Sequence, residues 1–216
     1  MRPPLTRERA LATAVALADS AGLGSLTMRR LAQDLGVEAM SLYHHVSNKD
    51  DILDGMVELV FTEIELPPDD APWKPAMRER AISVRAVLRR HPWAISVMQS
   101  RTSPGPATMR HHDAVLRCCR DAGFSVQMAA HAFSLMDAYI YGFVLQELNL
   151  PFDESTDLEA VADTMLRPYS PEDFTHLVEL ATEHILQPGY NYGDEFEWGL
   201  DLVLDGLEAA ARRRTR

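Results

Sequence analysis

Cysteine is nearly absent from this chain of 216 residues, which contains only the adjacent pair Cys118 and Cys119. Adjacent cysteines fit neither a disulfide framework nor a zinc knuckle, so we expect a reducing, cytoplasmic environment in which both thiols fill core or interface space. The N-terminus lacks the long apolar run of a signal peptide. The most apolar stretch, residues 129–148, contains polar and charged side chains, so we interpret it as a buried helix of a soluble protein rather than a membrane span.

Signatures of catalysis and of metal binding are also missing. No Ser-His-Asp arrangement, paired-carboxylate signature or phosphate-cradling glycine loop is recognisable, so we do not expect an enzyme, and a helical enzyme using its histidines is a distant alternative. The histidine pairs at 44/45 and 111/112 are adjacent, and adjacent side chains on a helix diverge by about 100°. Chelation favours a spacing of three or four residues, so neither a metal site nor a cofactor is predicted.

Positive charge is in short supply, with 21 Lys and Arg against 32 Asp and Glu and a formal net charge of −11. The shortage is uneven, because residues 1–49 carry six basic and four acidic side chains, whereas the rest of the chain carries 15 and 28. An anionic partner such as nucleic acid could therefore approach only the N-terminal end. The small excess there also fits an ordinary solvated surface.

Strand-like alternation is scarce, whereas apolar residues recur at intervals of three and four, which predicts an all-α fold. The boundary signals are Thr6 at the start of the first helix, Gly22 or Gly24 at its end, Thr27 and Gly36 around the second, and Ser47 or Asn48 as the cap of the fourth. The third helix is expected over about 38–45. Later helical segments are expected at about 75–90, 92–99, 107–122, 125–148, 157–166, 171–186 and 193–213.

A proline-rich break follows the fourth helix, between Leu66 and Pro75. Proline removes helical donors and clashes with the preceding turn, so we place a domain boundary here. Residues 1–66 are expected to form a three-helix helix-turn-helix domain with a connecting helix from about residue 48. Residues 67–216 are expected to form a larger helical domain for effector binding and dimerisation.

The strongest local pattern is a helix-turn-helix centred on Gly36. Gly36 can adopt the positive φ that a sharp turn between helices requires, and Leu42 can pack inward to seal the pair. With Leu42 inward, Met40 and His44 point outward, flanked by Ser41 and Tyr43. Such a face suits thymine methyls, base edges and phosphates in the major groove of DNA. A helical hairpin in some other all-α protein is the alternative.

The segment LTMRRLAQDLGVEAMSLYHHVSNKDDIL, residues 26–53, closely resembles the DNA-binding signature of the tetracycline-repressor (TetR) family. The resemblance implies that the following residues contact DNA: Thr27, Arg29, Ala39, Met40, Ser41, Tyr43, His44, His45 and Lys49. Thr27 and Arg29 would meet phosphates or a guanine, and Tyr43, His45 and Lys49 would hold phosphates. Ala39, Met40, Ser41 and His44 would face bases. Since Ala39 and Met40 cannot bind adenine bidentately, the operator should differ from that of the tetracycline repressor.

Residues beyond 66 resemble the regulatory domain of the same repressor more loosely, in HPWAISVMQSRTSPGP, CRDAGFS, YGFVLQE and EFEWGLDLVLDGLEA. The resemblance implies a four-helix bundle across a homodimer interface, formed by the helices at 125–148 and 193–213. An apolar stripe on the last helix and the nearly all-apolar character of 125–148 agree with it. Such a dimer would present two recognition helices to a palindromic operator.

The resemblance weakens at the effector site. Met98 occupies the position at which the tetracycline repressor has a histidine that helps to bind a magnesium–drug chelate. A thioether is a poor magnesium ligand, so tetracycline–magnesium is not expected. A different, largely apolar molecule would meet the following candidates: Met98, His112, Leu116, Phe133, Met136, Asp137 and Ile140. Met and Phe side chains at helical spacing are more often plain core than ligand contacts. Asp137 needs a partner within its apolar helix, and Tyr141 could supply one without any ligand.

These observations favour a homodimeric transcriptional repressor that a small organic effector releases from double-stranded DNA. An effector-independent DNA-binding regulator or activator is the alternative. A closed, largely apolar cavity of a few hundred Å³ among the helices between residues 75 and 186 would favour the first over the second, whereas a filled core there would favour the second.

Overall fold

The computed structural model describes residues 4–152, 158–170 and 172–213, except for the side chain of Leu166. Within these ranges the chain is helical and contains no strand, which confirms the all-α prediction. The helices are α1 Arg7–Ala21, α2 Met28–Leu35, α3 Ala39–Leu42, α4 Lys49–Glu63, α5 Trp73–Arg90, α6 Ala94–Ser100, α7 Pro106–Asp121, α8 Val126–Leu148, α9 Leu158–Leu166, α10 Thr175–Leu180 and α11 Tyr192–Arg213. A 3-10 turn at Leu23–Ser25 follows α1, and a π-helical turn at Ala181–Ile185 follows α10.

Side-chain caps start the first helices where the sequence indicates them. The hydroxyl of Thr6 accepts the Arg9 N–H at 3.2 Å, and that of Thr27 accepts the Arg30 N–H at 3.1 Å. Asn48, not Ser47, caps α4 by accepting an amide hydrogen bond at 2.9 Å. Each cap satisfies one of the amide donors that a helix leaves unpaired at its N-terminus.

Several expected boundaries shift by a few residues or meet the limits of the described chain. The third helix is a single turn, Ala39–Leu42, rather than 38–45, because the residues after it form hydrogen-bonded turns. The expected segments at 157–166 and 171–186 begin at residues outside the described ones, and α10 starts only at Thr175. Residues 1–3, 153–157 and 214–216 of the expected domains are likewise outside the described residues.

Helix α4 belongs to both halves of the molecule. It packs against α1 on one side and against α6 and α7 on the other. Its buried residues Ile52 and Met56 continue the core of the N-terminal helices, while Phe61 stacks edge-on against His111 of α7. A displacement of α7 would therefore also displace α4, which is the next helix after α3 in the chain.

Helix α8 is the centre of the larger half. Its length and apolar composition would allow it to cross a membrane, but core helices pass the same test. Here it packs against α5, α7 and α11, with Ala132, Met136 and Ile140 fully buried. The two cysteines lie nearby in the core, where Cys119 accepts a hydrogen bond from the Trp73 indole at 3.2 Å. Burial raises the pKa of Cys118 to about 11, which keeps this thiol protonated and poorly reactive.

Candidate nucleic-acid interface and ligand cavity

The turn between α2 and α3 has the geometry that its glycine predicts. Gly36 adopts the left-handed conformation, with φ 69° and ψ 38°. Its N–H donates to the Gln33 carbonyl at 3.1 Å, and the Val37 N–H donates to the Ala32 carbonyl at 3.0 Å, which together form a Schellman motif. Leu42 is fully buried beyond the turn and holds α3 against α2. A side chain at position 36 would be strained, because L-residues rarely adopt this backbone conformation.

With Leu42 buried, the opposite face of α3 is open to solvent. Met40 is 73% exposed and Tyr43 is 47% exposed, so this face presents a large apolar and an aromatic side chain to solvent. His44 is also exposed, while Ala39, Ser41 and His45 are half-buried. Thr27, Arg29 and Lys49 are exposed at the starts of α2 and α4. All nine predicted DNA-contacting residues thus lie at the N-cap of α2, on α2 and α3, in the turns after α3 or at the first residue of α4.

An ion pair that sequence reasoning missed fixes the segment between α3 and α4. Arg7 of α1 donates two hydrogen bonds to the Asp51 carboxylate, at 2.6 and 3.0 Å, and a third to the His45 carbonyl at 3.3 Å. Asp51 also accepts the Ser47 N–H at 2.8 Å. The hydrogen bond from Arg7 is the main reason why the pKa of Asp51 falls to about 2. No periodicity links two residues 44 positions apart, so only the fold could reveal this pair.

A cavity of about 310 Å³ lies between α4, α6, the segment after α6, α7 and α8. Its lining residues are Asp54, Val57, Glu58, Phe61, Met98, Gln99, Arg101, Ser103, Pro104, Gly105, Thr108, His112, Phe133, Asp137 and Tyr141. Its size and its mixture of aromatic walls with a few polar groups are typical of small-molecule sites.

Four of the seven predicted effector-binding residues line this cavity: Met98, His112, Phe133 and Asp137. The structure does not bring the other three to its wall. Met136 and Ile140 are fully buried in the core. Leu116 is exposed on α7. No group of three or more His, Cys, Asp or Glu within the described residues could hold a metal ion.

Behind the cavity wall, Asp137 pairs with Arg80, a residue that the sequence reading did not single out. The guanidinium Nη2 donates to Asp137 Oδ1 at 2.9 Å, and the Arg80 side chain is only 1% exposed. Arg80 also donates to His111 Nε2, so this imidazole is an acceptor on that side. Burial, together with the charge of Arg80, lowers the pKa of His111 to about 3, and the ring is neutral at pH 7.

Two further groups complete this cluster at the inner end of the cavity. Burial and the neighbouring charge of Asp137 raise the pKa of Tyr141. Tyr141, the partner that the sequence suggests for Asp137, thus lies near this carboxylate, but Arg80 supplies the compensating charge. Burial lowers the pKa of His112, which is neutral between the Phe61 and Phe133 rings. This end of the cavity therefore offers a ligand a neutral imidazole, a phenol and aromatic edges, beside an Asp137 carboxylate whose charge Arg80 compensates.

On the α4 side, the carboxylate of Glu58 both lines the cavity and caps α7. It accepts the Ala107 N–H at 2.6 Å, the Thr108 N–H at 3.0 Å and the Thr108 hydroxyl at 2.6 Å. Burial raises the pKa of Glu58, but these hydrogen bonds outweigh burial and leave the pKa below its ordinary value. Because the Glu58 carboxylate lies at the N-terminal end of α7, it also interacts favourably with the dipole of that helix.

Arg101 forms a second link between the cavity and α4. Its Nη1 donates to Asp50 Oδ1 at 3.0 Å and to Asp54 Oδ1 at 3.3 Å, both on the first two turns of α4. Glu58 and Arg101 thus connect the cavity wall directly to the helix that follows α3.

Two family models match this chain. Residues 10–56 match "Bacterial regulatory proteins, tetR family", and residues 66–211 match "Tetracyclin repressor-like, C-terminal domain". The HTH-type transcriptional repressor DrrR1 of Streptomyces coeruleorubidus is 34% identical over 99% of this chain and 81% of its own length. The class C tetracycline repressor protein of Escherichia coli is 31% identical over 94% of this chain and 91% of its own length.

Solved structures of similar proteins agree with these matches. Apo ActR from Streptomyces coelicolor superposes with a TM-score of 0.79 at 29% identity, covering 99% of this chain and all of that one. ActR in complex with actinorhodin gives a TM-score of 0.77 at 30% identity and covers 97% of this chain and 99% of that one.

Proposed function

Because the chain belongs to the TetR family of DNA-binding transcriptional regulators, we propose that it is a homodimeric repressor of a palindromic operator. A small organic effector, largely apolar, enters the cavity and releases the DNA. The observation that carries this proposal is the shared wall of the cavity. Helix α4 lines it and follows the recognition helix α3 directly, so a molecule in the cavity can bias the position of the DNA-reading surface.

On DNA, Met40 and His44 would face base edges in the major groove, with Ala39 and Ser41 beside them. The exposure of Met40 leaves its side chain accessible for an apolar contact with a thymine methyl group. Arg29 is the candidate for a guanine contact. The residues proposed to hold phosphates are Thr27, Tyr43, His45 and Lys49.

The second copy would pack on the outer faces of α8 and α11, in a cytoplasmic homodimer. These faces expose Leu135 and Leu145 of α8 together with Trp198 and Leu202 of α11, and Trp198 is 67% exposed. Large apolar groups at this density on two neighbouring helices are typical of an interface between subunits. We place the boundary between the DNA-binding and regulatory domains in the segment between α4 and α5, at about residue 66.

The effector would lie between Phe61, Phe133 and Met98, with His112 and Asp137 at the polar end. ActR has been solved with actinorhodin and with (S)-DNPA, so this fold accommodates organic molecules. Met98 supplies no oxygen or imidazole, which argues against a magnesium–tetracycline chelate. An effector-independent regulator is the second candidate, and a filled core would favour it. The cavity argues against that candidate, although it is partly open to solvent and α4 forms part of its wall, unlike the closed cavity expected between residues 75 and 186.

The proposal is tested by fluorescence anisotropy with DNA from upstream of the gene for this chain, with and without a panel of hydrophobic small molecules. The wild type should bind with a Kd that rises steeply with salt, and at least one molecule should release it. Lys49→Ala should weaken binding to all sequences and lower the salt slope by about one. The only other lysine, Lys74, lies at the start of α5, and Lys74→Ala is the matched control. If the two variants behave alike, α3 and α4 are not on the DNA.

A further inference from the structure

Arg101 differs from the other charged residues that line the cavity, because part of its hydrogen-bonding capacity is unused. Its Nη1 pairs with Asp50 and Asp54, but its Nε is buried and has no partner. The Arg101 side chain is 22% exposed, whereas those of Asp50 and Asp54 are 74% and 44% exposed. The guanidinium thus lies at the boundary between a sheltered cavity and a solvated helix surface.

The bonds that Arg101 makes to Asp50 and Asp54 differ in strength from the bond that its Nε could make to a ligand in the cavity. Ion pairs with well-exposed carboxylates contribute little, since water and salt screen them. A buried N–H without an acceptor is unfavourable, and an oxygen placed in the cavity would satisfy it. The planar guanidinium presents Nε and one terminal nitrogen as a fork that matches a carboxylate. Asp50 and Asp54 both accept from Nη1 and leave the Nε edge free, so a carboxylate inside the cavity would bind through that edge and draw the guanidinium away from these exposed carboxylates.

Three carboxylates also line the cavity, and a simple charge count would favour a cationic ligand instead. Asp137 is compensated by Arg80, and Glu58 accepts three hydrogen bonds at the start of α7. Asp54, the third carboxylate, pairs with Arg101, which also pairs with Asp50. The described residues contain three buried side-chain N or O atoms without a partner, and all are nitrogens: Arg80 Nη1, Arg101 Nε and His111 Nδ1. Of these three residues only Arg101 lines the cavity, and its Nε needs an acceptor, not a cation.

We propose that the effector is an organic acid with a flat apolar body, and that its carboxylate binds Arg101 and takes it from Asp50 and Asp54. This inference rests on the proposed function, since it assigns the chemistry of the effector and the residue that senses it. The apolar body lies against Phe61 and Phe133 while the acid engages the guanidinium. Loss of the Arg101 contacts frees the first two turns of α4, the helix that follows α3.

The test measures ligand binding by calorimetry on the full chain without DNA, using 2-naphthoic acid and 2-naphthylmethylamine as a pair of opposite charge and similar shape. The wild type should bind the acid at least about tenfold more tightly than the amine. In Arg101→Gln the preference should fall to within about twofold. Arg117→Gln removes an arginine of α7 that does not line the cavity, and should leave the preference intact.

A second variant separates competition from simple attraction. Asp50 does not line the cavity but pairs with Arg101, so Asp50→Asn should raise the affinity for the acid by several-fold without changing that for the amine. A role of Arg101 in folding alone would not produce this gain. The proposal is overturned if the amine binds as tightly as the acid, if neither binds, or if the preference survives in Arg101→Gln.

Failure of this inference is distinguishable from failure of the proposed function. If the wild type binds upstream DNA and an uncharged molecule releases it while the acid shows no preference, only the acid assignment is wrong. If the wild type binds no DNA while the acid preference depends on Arg101, the cavity assignment stands and the operator proposal is wrong.

Discussion

Removing Arg80 should destabilise the protein far more than removing an exposed arginine, because it leaves Asp137 as an uncompensated charge in the core. Breaking a buried ion pair from one side costs about 3–5 kcal/mol. Asp137 is 14% exposed at the cavity wall, so solvent recovers part of this loss. We expect Arg80→Leu to lower the free energy of unfolding by about 2–4 kcal/mol.

The double variant Arg80→Leu with Asp137→Leu isolates the charge from the loss of packing. Both variants lose the same guanidinium volume, but the double variant has no carboxylate left to desolvate. It should therefore be more stable than Arg80→Leu alone by about 1–3 kcal/mol, and within about 1–2 kcal/mol of the wild type.

The measurement is urea unfolding at pH 7, followed by circular dichroism, with Arg90→Leu as the control. Arg90 pairs with Glu63 at 2.7 Å, but its side chain is 55% exposed. This control should lose no more than about 1 kcal/mol. The reasoning is refuted if Arg80→Leu costs no more than Arg90→Leu, or if the double variant is less stable than the single one.

Three further outcomes are expected. Gly36→Ala should cost about 1–2 kcal/mol in urea unfolding because of its left-handed backbone, whereas Gly24→Ala, with open space and no positive φ, should cost nothing. The lowered pKa of Asp51 means that its stabilisation is complete above about pH 4 and is lost as the pH falls towards 2. Arg7→Met should therefore remove about 1 kcal/mol at pH 7 and flatten the stability profile between pH 4 and 2, and an unchanged profile would contradict the assignment. Leu202→Glu should shift the protein from dimer to monomer in light scattering after gel filtration, and a persistent dimer would exclude α11 from the interface.

The N-terminal half could be predicted closely from the sequence because its signals are local. Thr6, Thr27 and Gly36 act on residues three or four positions away, and the outward face of α3 follows from one buried leucine and the helical repeat. The DNA-contacting residues follow from the resemblance to the family. Six of the nine are exposed and three are half-buried, and their contacts with DNA stay predictions.

The cavity could be predicted only in part, because its polar groups come together from distant segments. Asp137 was noticed as a carboxylate in an apolar helix, but its partner Arg80 is 57 residues away on a helix rich in arginine. Nothing in the sequence distinguishes Arg80 from the other arginines of α5. Met136 and Ile140 were included because neighbouring residues on a helix are hard to assign to core or cavity when the helix is apolar nearly all round.

The double role of Glu58 has a consequence for any attempt to redesign this protein as a biosensor. A substitution at position 58 would alter the shape of the cavity, but it would also uncap α7 and thereby change the resting position of α4. A side chain at Gly105 would collide with the same carboxylate. Ligand preference and basal output are therefore not independently adjustable at these two positions. Phe133 and Met98, which line the cavity through packing alone, are the places where specificity can be varied while the unliganded state keeps its geometry.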